Sequence, residues 1–137
     1  ELRLIMWKYC GVIKNKTSLL EGLSKIEKIK TKINDIDVRI DKYNCDDLAL
    51  IFDLQSSLIS AKATIVSALQ RKESRGAHQR SDFPKLDSSC QFNCLVSMGE
   101  NNNLEISKLP LKKLNKNLNK IVVNSSREED FRDKLLE

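Results

Sequence analysis

The side chains that could do chemistry are concentrated in one short stretch, residues 70–86. It contains His78, the only histidine, together with three arginines and two acids: Arg71, Arg75, Arg80, Glu73 and Asp82. A histidine beside a carboxylate can act as a general base, and guanidinium groups can bind phosphate or carboxylate. No serine or cysteine nucleophile arrangement accompanies His78, and no glycine-rich cradle or Walker sequence accompanies the arginines. We therefore predict that this stretch catalyses no reaction by itself.

The same residues have a structural use. The arginines can pair with Glu73 and Asp82 and so tie the preceding helix to the loop. Gly76 supplies the backbone freedom for a turn, and Phe83 before Pro84 predicts an extended anchor. We predict a loop over residues 70–86 that docks onto another surface, with His78 hydrogen-bonded at the interface. The residues assigned to this docking loop are Arg71, Glu73, Ser74, Arg75, Gly76, His78, Arg80, Asp82 and Phe83.

The cysteines do not indicate a metal site. They are Cys10, Cys45, Cys90 and Cys94, with no C-x-x-C pair, and one histidine is too few to complete a convincing zinc site. We expect small, buried or half-buried thiols in a reducing cytoplasm. No catalytic, cofactor-binding or metal-binding residue is assigned to this chain.

Composition and charge narrow the function further. The chain has 137 residues, enough for one ordinary domain, and it begins at Glu1, so we expect a processed chain or a piece of a longer one. Its 24 bases exceed its 19 acids by five, but the lysines are spread between isoleucines and aromatics make up only 5% of the residues. Nucleic-acid binding is therefore not expected. No signal peptide and no apolar run of about 20 residues is present, so no membrane span is expected.

Three helices are predicted before the docking loop. The first covers Glu1–Cys10 and stops at Gly11, and the second runs from about Ser18 to Asn34 with Thr17 or Ser18 as its cap. The third begins at Asn44 or Asp46 and runs to about Lys72. The second and third carry apolar stripes at helical spacing, namely Leu19, Leu23, Ile26, Ile29 and Ile33, then Ile51, Leu54, Leu58, Ala61, Ile65 and Ala68.

The pattern changes after the loop. Phe92, Cys94 and Val96 alternate, a glycine- and asparagine-rich turn follows, and Leu104 and Ile106 alternate again, which predicts a β-hairpin. Pro110 fits the first position of a last helix. The predicted fold is mainly α: a three-helix up-and-down bundle followed by a β-hairpin and a C-terminal tail. Residues 1–87 form the bundle with its docking loop, and residues 88–137 form the hairpin and an extension packed on the bundle or on another domain.

The run from Arg71 to Pro84, Arg-Lys-Glu-Ser-Arg-Gly-Ala-His-Gln-Arg-Ser-Asp-Phe-Pro, closely resembles the C-terminal signature of succinate dehydrogenase/fumarate reductase flavoproteins. The opening Leu2-Arg3 with Met6-Trp7 and Gly11-Val12 is similar to the start of that family's C-terminal helical domain. The resemblance covers about Glu1 to Asp87, and more loosely the hairpin.

The resemblance implies a spectrin-repeat-like three-helix domain that packs against an FAD-binding domain. In such enzymes FAD takes or gives a hydride at the C2–C3 bond of a C4 dicarboxylate, and an arginine relays the proton. The flavin and substrate residues belong to the other domains of the family, so FAD is expected in the parent protein and not in this chain. The implied partners are the parent's FAD-binding domain and an iron–sulfur subunit. The implied location is cytoplasmic, or peripheral at the inner face of a membrane through partner subunits.

One departure leaves the branch of the family open. Respiratory members follow Asp-Phe-Pro with acidic residues, a Trp and a His, whereas Lys85-Leu86-Asp87-Ser88 stands here. L-aspartate oxidase shares the bundle and a similar loop and is the nearest alternative, although Ala77-His78 and Asp82-Phe83-Pro84 favour the succinate/fumarate branch. A stand-alone basic module that binds an acidic partner or a membrane surface is an alternative of a different class. The isolated bundle could also form a homodimer.

Overall fold

The computed structural model describes residues 1–38, 45–100 and 103–123. Three helices come first: α1 (Leu2–Cys10), α2 (Lys16–Lys32), which continues into a 3-10 turn (Ile33–Asp35), and α3 (Asp46–Gln70). Two short strands, β1 (Ile13–Lys14) and β2 (Gln79–Arg80), pair in parallel, and β3 (Phe92–Met98) pairs antiparallel with β4 (Leu104–Pro110). Residues 116–123 are helical and are called α4 below.

The core lies between the first three helices, each of which contacts the other two. The stripes expected from the sequence form it: Leu19, Ile26 and Ile29 of α2 face Leu58, Ala61, Ile65 and Ala68 of α3, and α1 adds Ile5 and Tyr9. Leu23, Ile33 and Leu54 pack at its edge. The mainly α class with a β-hairpin is confirmed, whereas the up-and-down, spectrin-repeat-like arrangement stays a prediction.

Gly22 of α2 lies in close contact with both α1 and α3. A Cβ atom at this position would lie 2.8 Å from the Cβ of Tyr9 on α1 and 3.3 Å from Cδ1 of Ile65 on α3. Because real Cβ atoms do not approach other carbons so closely, glycine lets α1 and α3 approach α2 here.

The caps of the helices differ from the predicted ones. Asn15, not Thr17 or Ser18, is the N-cap of α2, and Ser18 completes a capping box by hydrogen-bonding back to the Asn15 N–H. Cys45 holds the N-cap position of α3 and makes no side-chain cap bond. Of the two caps predicted for α3, Asp46 is its first residue and Asn44 lies outside the described residues.

The hairpin is confirmed, with Val96 opposite Ile106. Its half-buried face, Phe92, Cys94 and Val96, is the alternating set found in the sequence, and the Cys94 Sγ lies 3.9 Å from the Ser67 carbonyl oxygen of α3. Residues 101 and 102 of the predicted turn lie outside the described residues.

The predicted start of the last helix at Pro110 is wrong. Pro110 is the last residue of β4 and pairs with Phe92, at a strand end where its missing N–H is tolerated. The helix begins at residue 116, because Asn115 provides the cap: its Oδ1 accepts the Leu118 N–H at 2.8 Å.

By length and composition alone, α3 is long and apolar enough to cross a membrane, although the sequence analysis expected no span. Four residues of this helix, Leu58, Ala61, Ile65 and Ala68, are buried in the core.

Candidate docking site

The docking loop is built around the carboxylate of Glu73, which is fully buried. Arg71 donates to its Oε1, and Arg75 donates to Oε1 at 3.1 Å and to Oε2 at 3.3 Å. The backbone N–H of Asp87 adds a fourth bond at 3.0 Å. Two cations and a backbone donor therefore replace the water that this carboxylate loses on folding.

Arg80 and Asp82 join the loop to two helix ends. The Arg80 guanidinium is almost fully buried and donates to both Asp82 oxygens, at 2.7 and 2.8 Å. It also donates at 2.6 Å to the carbonyl of Ala68, in the last turn of α3, while Asp82 accepts the N–H of Lys16, the first residue of α2, at 3.0 Å. A cation at a helix C-terminus and an anion at a helix N-terminus both complement the helix dipoles.

The segment between these pairs is held by hydrogen bonds and a tight turn that involve Ser74, Gly76 and His78. The Ser74 hydroxyl accepts the Arg80 N–H at 2.9 Å and donates to the Phe83 carbonyl at 2.9 Å. Gly76 has φ +54°, a left-handed conformation that favours glycine, inside a tight turn closed by Arg75 and His78. The Nε2 of His78 donates to the Arg71 carbonyl at 3.1 Å. The half-buried His78 is thus held by its own loop.

The hydrogen bonds of the loop favour the ionised forms of its two carboxylates, Glu73 and Asp82. Hydrogen bonds from Arg80 hold the pKa of Asp82 well below its usual range. Burial alone would raise the pKa of Glu73, but the bonds from Arg75, the Asp87 N–H and Arg71 outweigh burial and lower it. Burial lowers the pKa of His78, and the charges of Lys14, Arg80 and Arg71 lower it further, whereas the hydrogen bond to the Arg71 carbonyl raises it. The net lowering favours the neutral imidazole, whose Nε2 hydrogen is donated to the Arg71 carbonyl.

The predicted pairing of the arginines with Glu73 and Asp82 is confirmed. Most residues assigned to the docking loop consequently point into this chain, and Phe83 covers the Arg80 guanidinium at 5.1 Å. Arg75 and Gly76 are exposed at the tip of the loop together with Ala77, and Asp82 and Phe83 are also classed as exposed.

Beside this tip lies an open groove of about 730 Å³ that the sequence analysis did not foresee. Its walls come from α1, the segment after α1, the end of α3, the loop and β3; they include Trp7, Val12, Lys14, Ser67, Ala77, His78 and Cys94. Trp7 is 83% exposed, and Leu4, one turn earlier, is 74% exposed. We call Leu4, Trp7, Val12 and Ala77, with the groove, the groove face. One signal was available: Leu4 and Trp7 lie off the apolar stripe of α1 that enters the core.

Lys14 is the other residue that sequence reasoning missed. It is buried, its Nζ donates to the Val12 carbonyl at 2.8 Å, and burial lowers its pKa.

The cysteines are free thiols; Cys10, Cys90 and Cys94 are half-buried as expected, whereas Cys45 is exposed. Within residues 1–38, 45–100 and 103–123, no three metal-binding side chains come together.

Comparison with known proteins identifies the family. The model of the fumarate reductase flavoprotein C-terminal region matches residues 1–128. The chain belongs to this family. An uncharacterised FAD-dependent oxidoreductase of Methanocaldococcus jannaschii is 38% identical over 96 residues, covering 70% of this chain and 17% of that protein. L-aspartate oxidase of Pyrococcus abyssi is 37% identical over 83 residues, which is 61% of this chain and 13% of the relative.

A solved structure shows the same fold in this family. A chain of E. coli quinol fumarate reductase superposes with a TM-score of 0.67 at 25% identity, over 82% of this chain and 20% of that one. The present chain therefore spans about a fifth or less of the proteins to which it is similar. The expected membership of the succinate dehydrogenase/fumarate reductase flavoprotein family is confirmed.

Dinucleotide sites use a glycine-rich turn between a strand and a helix to approach the pyrophosphate. The four glycines of this flavoprotein C-terminal region, Gly11, Gly22, Gly76 and Gly99, are too far apart in the sequence to form such a turn.

Proposed function

We propose that this chain is the C-terminal helical domain of an FAD-dependent oxidoreductase of the succinate dehydrogenase/fumarate reductase type. In this proposal the domain supports the flavin domain and catalyses no reaction itself. The family match over residues 1–128 supports the parent class, and the small share of each relative that the chain spans supports a role as one domain of several. FAD would be bound by the remainder of the polypeptide, and an iron–sulfur subunit is a further partner of the parent.

The observation that carries the docking role is the groove face. Leu4 and Trp7 are more than 70% exposed and share one side of α1, although a tryptophan buries a large apolar area when it is covered. Trp7 lines the groove together with Ala77 of the loop tip, and the ion pairs of the loop hold that tip in shape. Such a surface can associate without ordering a flexible segment, which reduces the entropy lost on docking.

In this proposal most of the loop holds the tip in position, and only the tip contacts the flavin domain. Glu73, Arg80 and Asp82 brace the tip, and Arg75 and Ala77 meet the flavin domain. Arg75 is suited to both tasks, because its side chain is 44% exposed while it pairs with Glu73. A residue such as Trp7 would then provide apolar area, and Arg75 would provide orientation through its forked donors.

The test uses the complete polypeptide that carries this chain. Trp7→Ser and Ala77→Glu should each lower FAD retention during gel filtration and lower the temperature at which flavin fluorescence is released, and Arg75→Ala should do so more weakly. Phe52→Ser is the matched control, because Phe52 is an aromatic residue of α3 that is 60% exposed and lies outside the groove. Unchanged flavin retention in both Trp7→Ser and Ala77→Glu would reject docking through the groove face.

L-aspartate oxidase remains the second candidate for the parent enzyme, because the Pyrococcus abyssi enzyme of that name is 37% identical over 83 residues. The two candidates differ in the electron donor that reduces the flavin. Anaerobic mixing of the complete protein with L-aspartate or with succinate decides between them, since bleaching of the flavin absorbance identifies the substrate.

A further inference from the structure

The end of the described chain is strongly basic. Residues 106–123 contain five lysines and no acid: Lys108, Lys112, Lys113, Lys116 and Lys120. This differs from α2, where Lys25 pairs with Glu21 one turn away. The positive charge near α4 is thus not balanced by acids of the same segment, so it favours an anionic surface.

The same segment exposes an apolar face. Its large apolar side chains are 44% to 63% exposed; they are Leu109, Leu111, Leu114, Leu118, Ile121, Val122 and Val123. In α4, Leu118 and Ile121 are three apart and share one side, whereas Lys116 and Lys120 lie on the opposite side. The helix α4 is therefore amphipathic, and the non-helical residues 111–115 before it add further exposed leucines and lysines.

We propose that the segment 111–123 binds the surface of an anionic lipid bilayer. Helices that lie in the membrane interface combine these two features: an apolar face enters the boundary between headgroups and acyl chains, and lysines contact the anionic headgroups. Asn115, Asn117 and Asn119 add polar, uncharged groups that suit the headgroup layer. A lipid surface also requires no matching groove, which suits a short helix whose residues are all exposed.

The exposed lysines of α2 show why charge alone is not the criterion. Lys28, Lys30 and Lys32 are exposed, but the apolar residues of the same turns, Ile26 and Ile29, are buried in the core. These lysines can attract anions, but the neighbouring apolar side chains are not available to insert into a bilayer. Substitution of the two sets of lysines therefore provides a comparison with the same change in charge.

The experiment is co-sedimentation of the complete polypeptide with vesicles of phosphatidylcholine, with or without phosphatidylglycerol. Binding should require phosphatidylglycerol and weaken with salt, because exposed charges are screened. Lys112→Gln/Lys113→Gln/Lys116→Gln should lower the partition coefficient by about tenfold or more, since each lysine near an anionic membrane contributes to binding. Leu114→Ser/Leu118→Ser should also lower it severalfold, which a purely electrostatic contact would not show.

Lys28→Gln/Lys30→Gln/Lys32→Gln is the control, with the same change in charge, and it should alter the partition coefficient by less than about twofold. Far-UV circular dichroism verifies that each variant is folded. The proposal is overturned if the wild-type protein does not sediment with anionic vesicles at low salt. It is also overturned if the leucine variant binds like wild type, because that would indicate nonspecific adsorption. A third contrary outcome is full competition of an acidic polypeptide with the vesicles.

Discussion

At the scale of single residues, the main feature is a pair of buried ions held by separate partners. Glu73 is surrounded by donors, and Arg80 is surrounded by acceptors, so each charge keeps its hydrogen bonds inside the protein. Removing one partner from such a site leaves an uncompensated buried charge, which typically destabilises a protein by about 3–5 kcal/mol. The loop is therefore specified by charge pairing more than by apolar burial.

This pairing predicts a loss of stability in acid. The folded-state pKa values of Asp82 and Glu73 are depressed below the ordinary values of 3.8 and 4.5. Their contribution is therefore present above those values and is lost as the pH falls below them. The urea midpoint of unfolding should fall between pH 5 and pH 3, values that bracket the ordinary carboxylate range of about 3.9–4.3.

Asp82→Asn identifies the group responsible. It should lower the urea midpoint at pH 7 and make the remaining pH dependence shallower, because one of the two titrating groups is gone. Asp53→Asn, at an exposed acid of α3, should leave the wild-type profile unchanged. An Asp82→Asn profile parallel to that of wild type would show that the Arg80–Asp82 pair does not control the acid transition.

At this scale the sequence predicted the types of contact but not all partners. The spacing of the acids and arginines was enough to expect pairs within the loop. It could not show that Asp82 accepts the N–H of Lys16, because those residues are 66 positions apart. The burial of Lys14 could not be predicted from the sequence either, because it depends on the pairing of β1 with β2.

At the scale of elements, the close approach at Gly22 makes a specific prediction. Gly22→Ala should destabilise the chain by about 1–3 kcal/mol, because overpacking against Tyr9 and Ile65 exceeds the gain in helix propensity of about 1 kcal/mol. The measurement is urea unfolding followed by circular dichroism. Ser24→Ala, at an exposed position of the same helix, should be neutral or slightly stabilising. A Gly22→Ala variant as stable as wild type would mean that α1 moves freely against α2.

Apolar periodicity predicted the helices and the hairpin well, whereas their ends were less predictable. The stripe of α3 reached the core as expected, but α2 starts earlier than predicted, with Asn15 and Ser18 forming its capping box. Pro110 permits either a helix start or a strand end, and pairing with Phe92 selects the strand. The local sequence is compatible with either structure, and pairing of Pro110 with Phe92 determines which one forms.

At the scale of the whole molecule, two of the regions that expose apolar side chains differ in their chemistry. The groove face combines Trp7 and Leu4 with a neutral histidine and a braced loop, which suits a protein surface of fixed shape. The segment 111–123 combines leucines with unbalanced lysines, which suits lipid. Periodicity could identify apolar residues in both regions, but it could not show that they are exposed among the residues that the structure describes.

The groove face leads to a prediction about the isolated chain. In the proposed function the flavin domain covers this apolar area, and without that cover it should drive self-association, so the isolated 137-residue chain should form a dimer at micromolar concentration. Sedimentation velocity measures the dissociation constant. Leu4→Ser/Trp7→Ser should raise it by about tenfold, because two large apolar side chains no longer contribute their burial, whereas Phe52→Ser should leave it nearly unchanged.

Competition then links self-association to docking. If the dimer uses the same face that meets the flavin domain, adding the separately produced remainder of the polypeptide should convert dimers into a one-to-one complex, since the face cannot be covered twice. A dimer that persists unchanged inside the complex would place self-association elsewhere, with the exposed part of α3 around Leu50, Phe52 and Ile59 as the next surface to substitute.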